Sequence, residues 1–432
     1  MMENKTVAFH TLGCKVNQYD TQAMRERFEE AGCRTVEFEE KADIYVVNTC
    51  TVTGTGDKKS MQTIRRCHRQ NPDAAIVVTG CLAQRAADTL TLPGVRLVLG
   101  TQRRGEVVQL LTQALEQDVA LIAVETLRQA PFEHLTVHAH EGHTRATMKI
   151  QEGCDRWCSY CIIPSVRGPI RSRPLEEIRA EAESLAQAGF KEAVLTGIHL
   201  TSYGREQHGQ ITLLDAIRAV HEVEGIERIR LGSLEPVIVT EAFVQGLAEM
   251  PKVCHQFHLA LQSGSDTVLA RMRRRYTSGE FLAACALLRG AFEDCALTTD
   301  VMTGFPGETE EEFAQTIDTC RKAGFARMHV FPYSEREGTK AAAMEGSIPR
   351  AVREERARRL IAVGHELECA ALESRVGKHE AVLIEEIDDQ GLGVGYTGGY
   401  MRVRVRDAEP GEVVQVCITG AENGELKGEI AP

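Results

Sequence analysis

Three cysteines fall within eight residues of this chain, in the run Cys154-Asp155-Arg156-Trp157-Cys158-Ser159-Tyr160-Cys161. No other feature constrains the fold as tightly. A loop spaced CxxxCxxC can wrap one face of a cubic iron–sulfur cluster, because each thiolate needs its own iron and a short loop gathers all three. One iron then lacks a protein ligand and is open to chemistry, as an open coordination position separates a catalytic zinc from a structural one. The competing readings are a zinc site missing its fourth ligand and three unrelated cysteines. Nothing nearby completes a zinc tetrad in the usual paired pattern.

The chain has 432 residues, 43% of them hydrophobic, which suggests two or three globular domains with ample core. No apolar run approaches the ~18 residues that span a bilayer, so no membrane partner is expected. Met1-Met2-Glu3-Asn4-Lys5-Thr6 leads directly into a strand-like run rather than a secretory segment. A reducing, cytoplasmic setting follows as an expectation, in which 14 cysteines serve as ligands and core fillers rather than disulfides. A net charge of −12 disfavours non-specific nucleic-acid binding by the whole surface but leaves room for a basic patch.

Residues 1–130 alternate strand-like and helical patterns, which predicts an open parallel α/β sheet covered on both faces. The strand-like runs are Val7 to His10, Ile44 to Asn48, Ile76 to Thr79 and Val95 to Leu99. The first three are each followed almost at once by a cysteine: Cys14, Cys50 and Cys81. Carboxyl ends of parallel strands share one edge, where open α/β sheets bind ligands. Three cysteines so placed can converge on a second cluster; the alternative is that they are small buried hydrophobes. Gly13 and Gly80 permit tight turns beside them. Cys33 and Cys67 read as packing.

Residues 131–144 carry His134, His138, His140 and His143 and read as a polar connector, with a metal site the lesser reading. From 145 to 373, six strand-like runs alternate with helices: Ala146 to Gln151, Ala193 to Thr196, Ile229 to Leu231, Phe257 to Leu261, Leu297 to Val301 and Met328 to Phe331. This predicts a full or partial parallel (β/α) barrel, with function at the carboxyl ends of its strands. Thr196-Gly197-Ile198-His199, Ser233-Leu234-Glu235-Pro236, Gln262-Ser263-Gly264-Ser265 and Asp300 with Gly304-Phe305-Pro306-Gly307-Glu308-Thr309 stand at those ends; singly each reads as a turn or helix cap, together as a pocket for a small polar ligand beside the cysteine loop. Arg271-Met272-Arg273-Arg274-Arg275-Tyr276 reads either as a solvated helix end or as a phosphate-binding run with Tyr276 free to stack on a base. Arg167, Arg171 and Arg173 are expected to add to that basic side.

Residues 374–432 turn to short alternating strands and predict a small all-β barrel. Arg402, Arg404 and Arg406 alternate with Met401, Val403 and Val405, which puts three guanidinium groups on one face of a strand. That face reads as an RNA backbone contact, or as an ordinary charged outer face.

Taken together, these residues resemble a known family over nearly the whole chain. CxxxCxxC after a first barrel strand looks like the radical S-adenosylmethionine (SAM) superfamily. "TLGCKVNQYD", "NTCTVT", "VTGC", "LQSGSDTVLARMRRRY" and "GFPGETEEEF", with the C-terminal barrel, look like its methylthiotransferases, whose small barrel is the RNA-binding TRAM domain. "GCKVNQYDT" and "ADIYVVNTCTVT" look most like the branch acting on threonylcarbamoyladenosine next to the tRNA anticodon. The resemblance implies 4Fe–4S clusters at Cys154/Cys158/Cys161 and at Cys14/Cys50/Cys81. It implies SAM among Gly197, Ser233, Glu235, Gln262 and Asp300, and tRNA contact by Arg273, Arg274, Arg275, Arg402, Arg404 and Arg406. Many superfamily members have Gly-Gly-Glu at the second strand end, where this chain has Thr196-Gly197-Ile198-His199. It further implies radical cleavage of SAM, an electron donor such as flavodoxin or ferredoxin, and a sulfur donor. Relatives acting on isopentenyladenosine or on a ribosomal-protein aspartate share the architecture. A non-enzymatic RNA-binding iron–sulfur redox sensor is the alternative of another class.

Overall fold

The computed structural model describes residues 2–138 and 144–431. Six parallel strands form the N-terminal sheet, in the order Arg34–Val36, Thr6–Thr11, Ile44–Thr49, Ala75–Gly80, Val95–Leu99 and Leu121–Ala123. Ile44–Thr49 and Ala75–Gly80 are buried throughout, as central strands covered on both faces must be. The outermost two are three residues each and too short to show a sequence pattern. Strand order reverses at Thr6–Thr11 and Ile44–Thr49, the crevice where such sheets take ligands. Cys14 and Cys50 follow those two strands.

The central domain is an open parallel barrel. Arg145–Glu152, Glu192–Gly197 and Arg228–Leu231 form one group, Gln256–His258, Ala296–Thr303 and Arg327–Pro332 the other. Parallel bridges Ile229–Val253 and Leu234–Leu259 join the groups. Among the described residues no pairing joins the last strand to the first. The first instead carries the short antiparallel strand Arg171–Ser172 on its free edge. The barrel is therefore partial. Its core runs through Ile150, Leu195, Ile229, Phe257, Leu297 and Phe313, all fully buried.

The helix Arg350–Glu373 leads into a closed five-stranded barrel of His379–Ile387, Gly393–Thr397, Arg402–Val405, Glu425–Ile430 and Val413–Glu422. Parallel pairing of Arg402–Val405 with Glu425–Ile430 closes it and leaves no open edge. This barrel docks on the starts of the central strands, the rim opposite the cysteine loop. Arg228 donates to the carbonyls of Tyr396 (3.0 Å) and Thr397 (2.7 Å), and Arg230 to that of Gly398 (3.0 Å). Arg145 lies 5.0 Å over both the Tyr396 and Tyr400 rings.

The connector is more than polar. Phe132, Leu135 and Val137 are buried, and Leu135 and Val137 pack with Tyr19 and Ala23 of the helix Lys15–Glu30. His134 is exposed and pairs with Glu177 at 2.8 Å; His138 meets Ser184 at 3.2 Å. His140 and His143 lie outside the described residues.

A buried charge network fastens the N-terminal sheet to the barrel. Asp20 is fully buried and accepts from Arg104 of its own domain and from Lys149 (2.5 Å) and Arg167 (3.3 Å) of the barrel. Glu152 meets Arg167 at 3.1 Å and Lys149 at 3.6 Å; Glu133 of the connector meets Arg104 at 2.7 Å. Burial pushes the Asp20 carboxyl up, but the three cations outweigh it and hold the group at about 2. Breaking a buried ion cluster from one side strands its partners. Asp20→Ala is expected to destabilise the chain by about 3–5 kcal/mol, read by chemical denaturation; an unshifted midpoint would count against the network's role. Because the folded-state carboxyl is depressed below 3.8, its stabilisation is complete above about pH 4 and fades as pH falls toward 2.

Candidate functional site

The cysteine loop leaves the strand Arg145–Glu152 and is pinned by backbone bonds. Cys154 N–H donates to Gly168 O, Cys161 N–H to Cys158 O and Ser159 N–H to Met272 O, each at 3.0 Å. Ser159 Oγ donates to Arg271 O at 2.8 Å. Cys158 is buried, while Cys154 and Cys161 are partly exposed. Burial pushes the thiols of Cys154 and Cys161 up to about 11 and about 12. Iron binding there must therefore release protons. Arg274 donates through Nη1 to Cys158 Sγ at 3.3 Å.

That contact changes the reading of the basic run. Arg274 turns inward: Nε donates to Tyr276 Oη (3.0 Å) and Nη2 meets Glu235 (3.0 Å). Tyr276 is buried, its hydroxyl bonded to the carbonyls of Ala260 and Leu261, so it cannot stack on a base. Arg273 and Arg275 remain exposed. Arg167, Arg171 and Arg173 are all buried. Arg167 lies in the charge network and Arg173 pairs with Glu181 at 2.5 Å, so the phosphate role expected of this trio is overturned.

Gly197 ends the strand Glu192–Gly197, Ser233 and Glu235 follow Arg228–Leu231, and Gln262 follows Gln256–His258, whereas Asp300 lies within Ala296–Thr303, three residues short of its end. Glu235 is the hub. Arg156 Nε lies 2.8 Å from its carboxylate, Arg274 3.0 Å and His199 Nε2 3.2 Å. Burial raises this carboxyl, but the His199 bond and the charges of Arg274 and Arg156 bring it to about 2. His199, the departure at the second strand end, thus supports Glu235. Asp300 meets His258 at 3.3 Å. Gln262 adopts φ +63°, strained for a side chain of its size, and its Oε1 is buried without a partner. Ser233 is exposed. An orphan acceptor and a free hydroxyl on one rim suit a ligand bearing amino and hydroxyl groups, as SAM does.

The second trio also converges. Cys14 caps the helix Lys15–Glu30, and Cys81 opens the helix Cys81–Ala86. Asn17 Nδ2 donates to Leu12 O (2.7 Å) and Thr49 O (3.1 Å), and Thr49 Oγ1 to Thr79 O (2.5 Å), which cross-ties the three strand ends. Gly13 has φ +108°, and a Cβ there would lie 3.0 Å from Cys50 Cβ and 3.1 Å from its sulfur. Gly80 has φ +94°, and a Cβ would fall 2.4 Å from Asn48 Oδ1. Both turns need glycine for the cysteines to approach. Burial pushes the Cys81 thiol up to about 11, and the Cys14 and Cys50 thiols lie near enough to add to that rise. Cys81 packs on Ile162 and Val166, immediately after Cys161. Arg336, beyond the last barrel strand, donates to Thr51 and pairs with Asp57 at 2.5 Å. The two trios are neighbours held by the same segments.

Three soft thiol donors suit iron in both places. Among the described residues no three His, Cys, Asp or Glu stand close enough together to share one metal ion. Cluster irons instead take one thiolate each.

On the C-terminal barrel, Arg402 pairs with Glu425 and with Glu386 (3.5 Å), and Arg404 with Glu425 (2.8 Å) and Asp388 (3.3 Å). Two of the three guanidinium groups are thus partly neutralised by acids from other strands. Arg406 is exposed, with no ion pair among the described residues. Sequence reasoning missed Arg156 as a partner of Glu235 and Arg167 as a partner of Cys81. Their position beside the cysteine loop was the available signal.

Three family models match the chain: Uncharacterized protein family UPF0004 over residues 6–100, the Radical SAM superfamily over 148–320 and the TRAM domain over 373–431. The chain is 44% identical to the threonylcarbamoyladenosine tRNA methylthiotransferase MtaB of Bacillus subtilis (strain 168), across 96% of this chain and 94% of that one. It is 36% identical to the tRNA-2-methylthio-N(6)-dimethylallyladenosine synthase of Frankia alni, across 99% and 89%. In fold it matches the radical SAM methyltransferase TsrM of Kitasatospora setae with a TM-score of 0.58, at 14% identity, over 78% of this chain and 74% of that one. Membership of the superfamily carries SAM and a 4Fe–4S cluster with it. The sheet with its three strand-end cysteines, the open barrel with CxxxCxxC at its mouth and the closed terminal barrel occur here in one chain, which belongs to the MtaB-type radical SAM methylthiotransferase family.

Proposed function

We propose that this chain converts threonylcarbamoyladenosine next to the anticodon of tRNA to its 2-methylthio derivative. Cys154, Cys158 and Cys161 hold the cluster that binds SAM, and Cys14, Cys50 and Cys81 hold a second 4Fe–4S cluster. The observation that carries this reading is the adjacency of the two trios through Cys81, Ile162 and Val166: two cofactors so close serve one reaction. The substrate rests on relatives named for threonylcarbamoyladenosine, which reach 44% identity against 36% for one named for dimethylallyladenosine.

Carbon 2 of adenine has neither an acidic hydrogen nor strong electrophilicity, and proton-transfer assistance of about 10²–10⁴-fold is too little. The bound cofactors supply one-electron chemistry and a sulfur atom, which side chains cannot. The protein's part is arrangement. The loop presents the three thiols of Cys154, Cys158 and Cys161, which would hold the cluster. Glu235 locks Arg156, His199 and Arg274 around it. Gln262 offers an acceptor without a partner among the described residues and Ser233 a hydroxyl, while Gly197 lets the second strand end lie against Gln151, where a Cβ would fall 2.8 Å from the Gln151 Cβ. Asp300 stays beside His258. Arg273, Arg275 and Arg406 are free to meet tRNA phosphates, with Arg402 and Arg404 weaker because of Glu425. The reaction also calls for a reductant, such as flavodoxin or ferredoxin, and a sulfur donor.

Trp157 is the chain's single tryptophan, 57% exposed at φ +50° on the tip of the cysteine loop. Such a ring suits stacking on a base near the target. Its fluorescence is expected to be quenched by anticodon stem-loop RNA, and Trp157→Ala to weaken that binding about tenfold. Unchanged affinity in the variant would remove Trp157 from the interface.

Cys154→Ala is expected to abolish both deoxyadenosine release from SAM and 2-methylthio product. Cys81→Ala is expected to keep deoxyadenosine release and lose the product. Nucleoside mass spectrometry of tRNA from cells carrying only each variant reads the outcome. Methylthiolated tRNA in the Cys154→Ala strain would defeat the proposal.

A further inference from the structure

Each cysteine trio has one arginine on one sulfur, and the two arginines differ in what surrounds them. Arg274, on Cys158 Sγ, is paired with Glu235. Arg167, on Cys81 Sγ, belongs to a network that is not balanced. Its Nε donates to Cys81 Sγ at 3.2 Å, its Nη1 meets Glu152 and Asp20, and its Nη2 donates to Asn17 Oδ1. The side chain has no exposed surface. Among the described residues, Arg104, Lys149, Arg167 and the buried Arg171 face only the carboxylates of Asp20, Glu133 and Glu152. Arg171 donates to Arg167 O at 2.7 Å, and its Nε and Nη1 have no partner. Four buried cations against three carboxylates leave one positive charge uncompensated in a medium where that is costly. Arg167 already touches a sulfur that would supply this negative charge as a thiolate on iron.

We propose that Arg167 is a positioning residue of the second cluster: its guanidinium holds the Cys81 sulfur and balances its charge, so the barrel domain completes a site whose three cysteines all come from the N-terminal sheet. Partners of this kind orient ligands and tune the metal. A donor and a positive charge at a ligand sulfur favour the reduced cluster and raise its potential. Arg167 also ends the helix Ile163–Arg167 that begins just after Cys161. The same residue therefore fixes the second cluster's position relative to the SAM-binding loop.

This rests on the second-cluster reading above, and the experiment separates the two. The full chain carrying Cys154→Ala, Cys158→Ala and Cys161→Ala keeps only the second site. Reconstituted without oxygen, it is expected to bind iron and sulfide and to show Fe–S(Cys) stretching bands in resonance Raman spectra. Adding Arg167→Gln is expected to shift one Fe–S(Cys) band to higher frequency and the reduction potential to more negative values. Arg167→Lys keeps the charge and thus the network, but not the planar fork; it is expected to shift the same band, with a smaller change in potential. Lys at this position guards against a Gln variant that does not fold, with circular dichroism as the control. Unshifted bands and potential at unchanged iron content, in either folded variant, would overturn the role of Arg167. Failure of the parent triple variant to take up iron would overturn the cluster reading and the proposal with it.

Discussion

The buried charge cluster around Asp20 is the constraint on which the rest of the architecture depends. A helix of the N-terminal sheet contributes Asp20, the connector contributes Glu133, and the first barrel strand contributes Lys149 and Glu152. Charges taken this far from water are costly unless paired, so the ion pairs between the two domains favour the docking that makes them. Arg167 then extends the network to the Cys81 sulfur.

That arrangement brings together segments carrying two cysteine trios that are 73 residues apart in sequence at their nearest members, Cys81 and Cys154. Each lies at strand ends of its own parallel sheet, as parallel topology dictates. Topology alone does not make the two edges face each other. Apolar contact of Cys81 with Ile162 and Val166, and the Arg336 clasp on Thr51 and Asp57, hold them adjacent. The terminal barrel is fastened to the opposite rim by Arg145, Arg228 and Arg230, which leaves the cysteine mouth open on its exposed side.

Much of the fold was legible because period and length are local properties. Val95–Leu99 occurs as read, and the other long strands of the N-terminal sheet and the first barrel group differ by a residue at their ends, whereas Val413 to Ile418 runs on to Glu422. Phe257 to Leu261 shortened to Gln256–His258, since the chain there bends into a strained turn at Gln262. Arg34–Val36, Leu121–Ala123 and Glu425–Ile430 were not legible. Two are three residues long, and the third, besides its hairpin with Val413–Glu422, closes the barrel by pairing with Arg402–Val405, about twenty residues earlier. The site was less legible than the fold. Arginine in a basic run reads as solvent-facing, and only contacts with Glu235, Glu181, Glu152 and Asp20 show that Arg274, Arg173 and Arg167 are interior.

By itself the sequence determined where the cysteines fall: their spacing, the alternation of strand and helix that sets them after strands, and the glycines at the turns are all fixed within a few tens of residues. Tertiary structure alone decided which arginines meet sulfur, which meet carboxylates and which stay exposed. The reason is that an ion pair is set by distance in space, and each of these pairs joins residues that the chain brings together only after both sheets have formed.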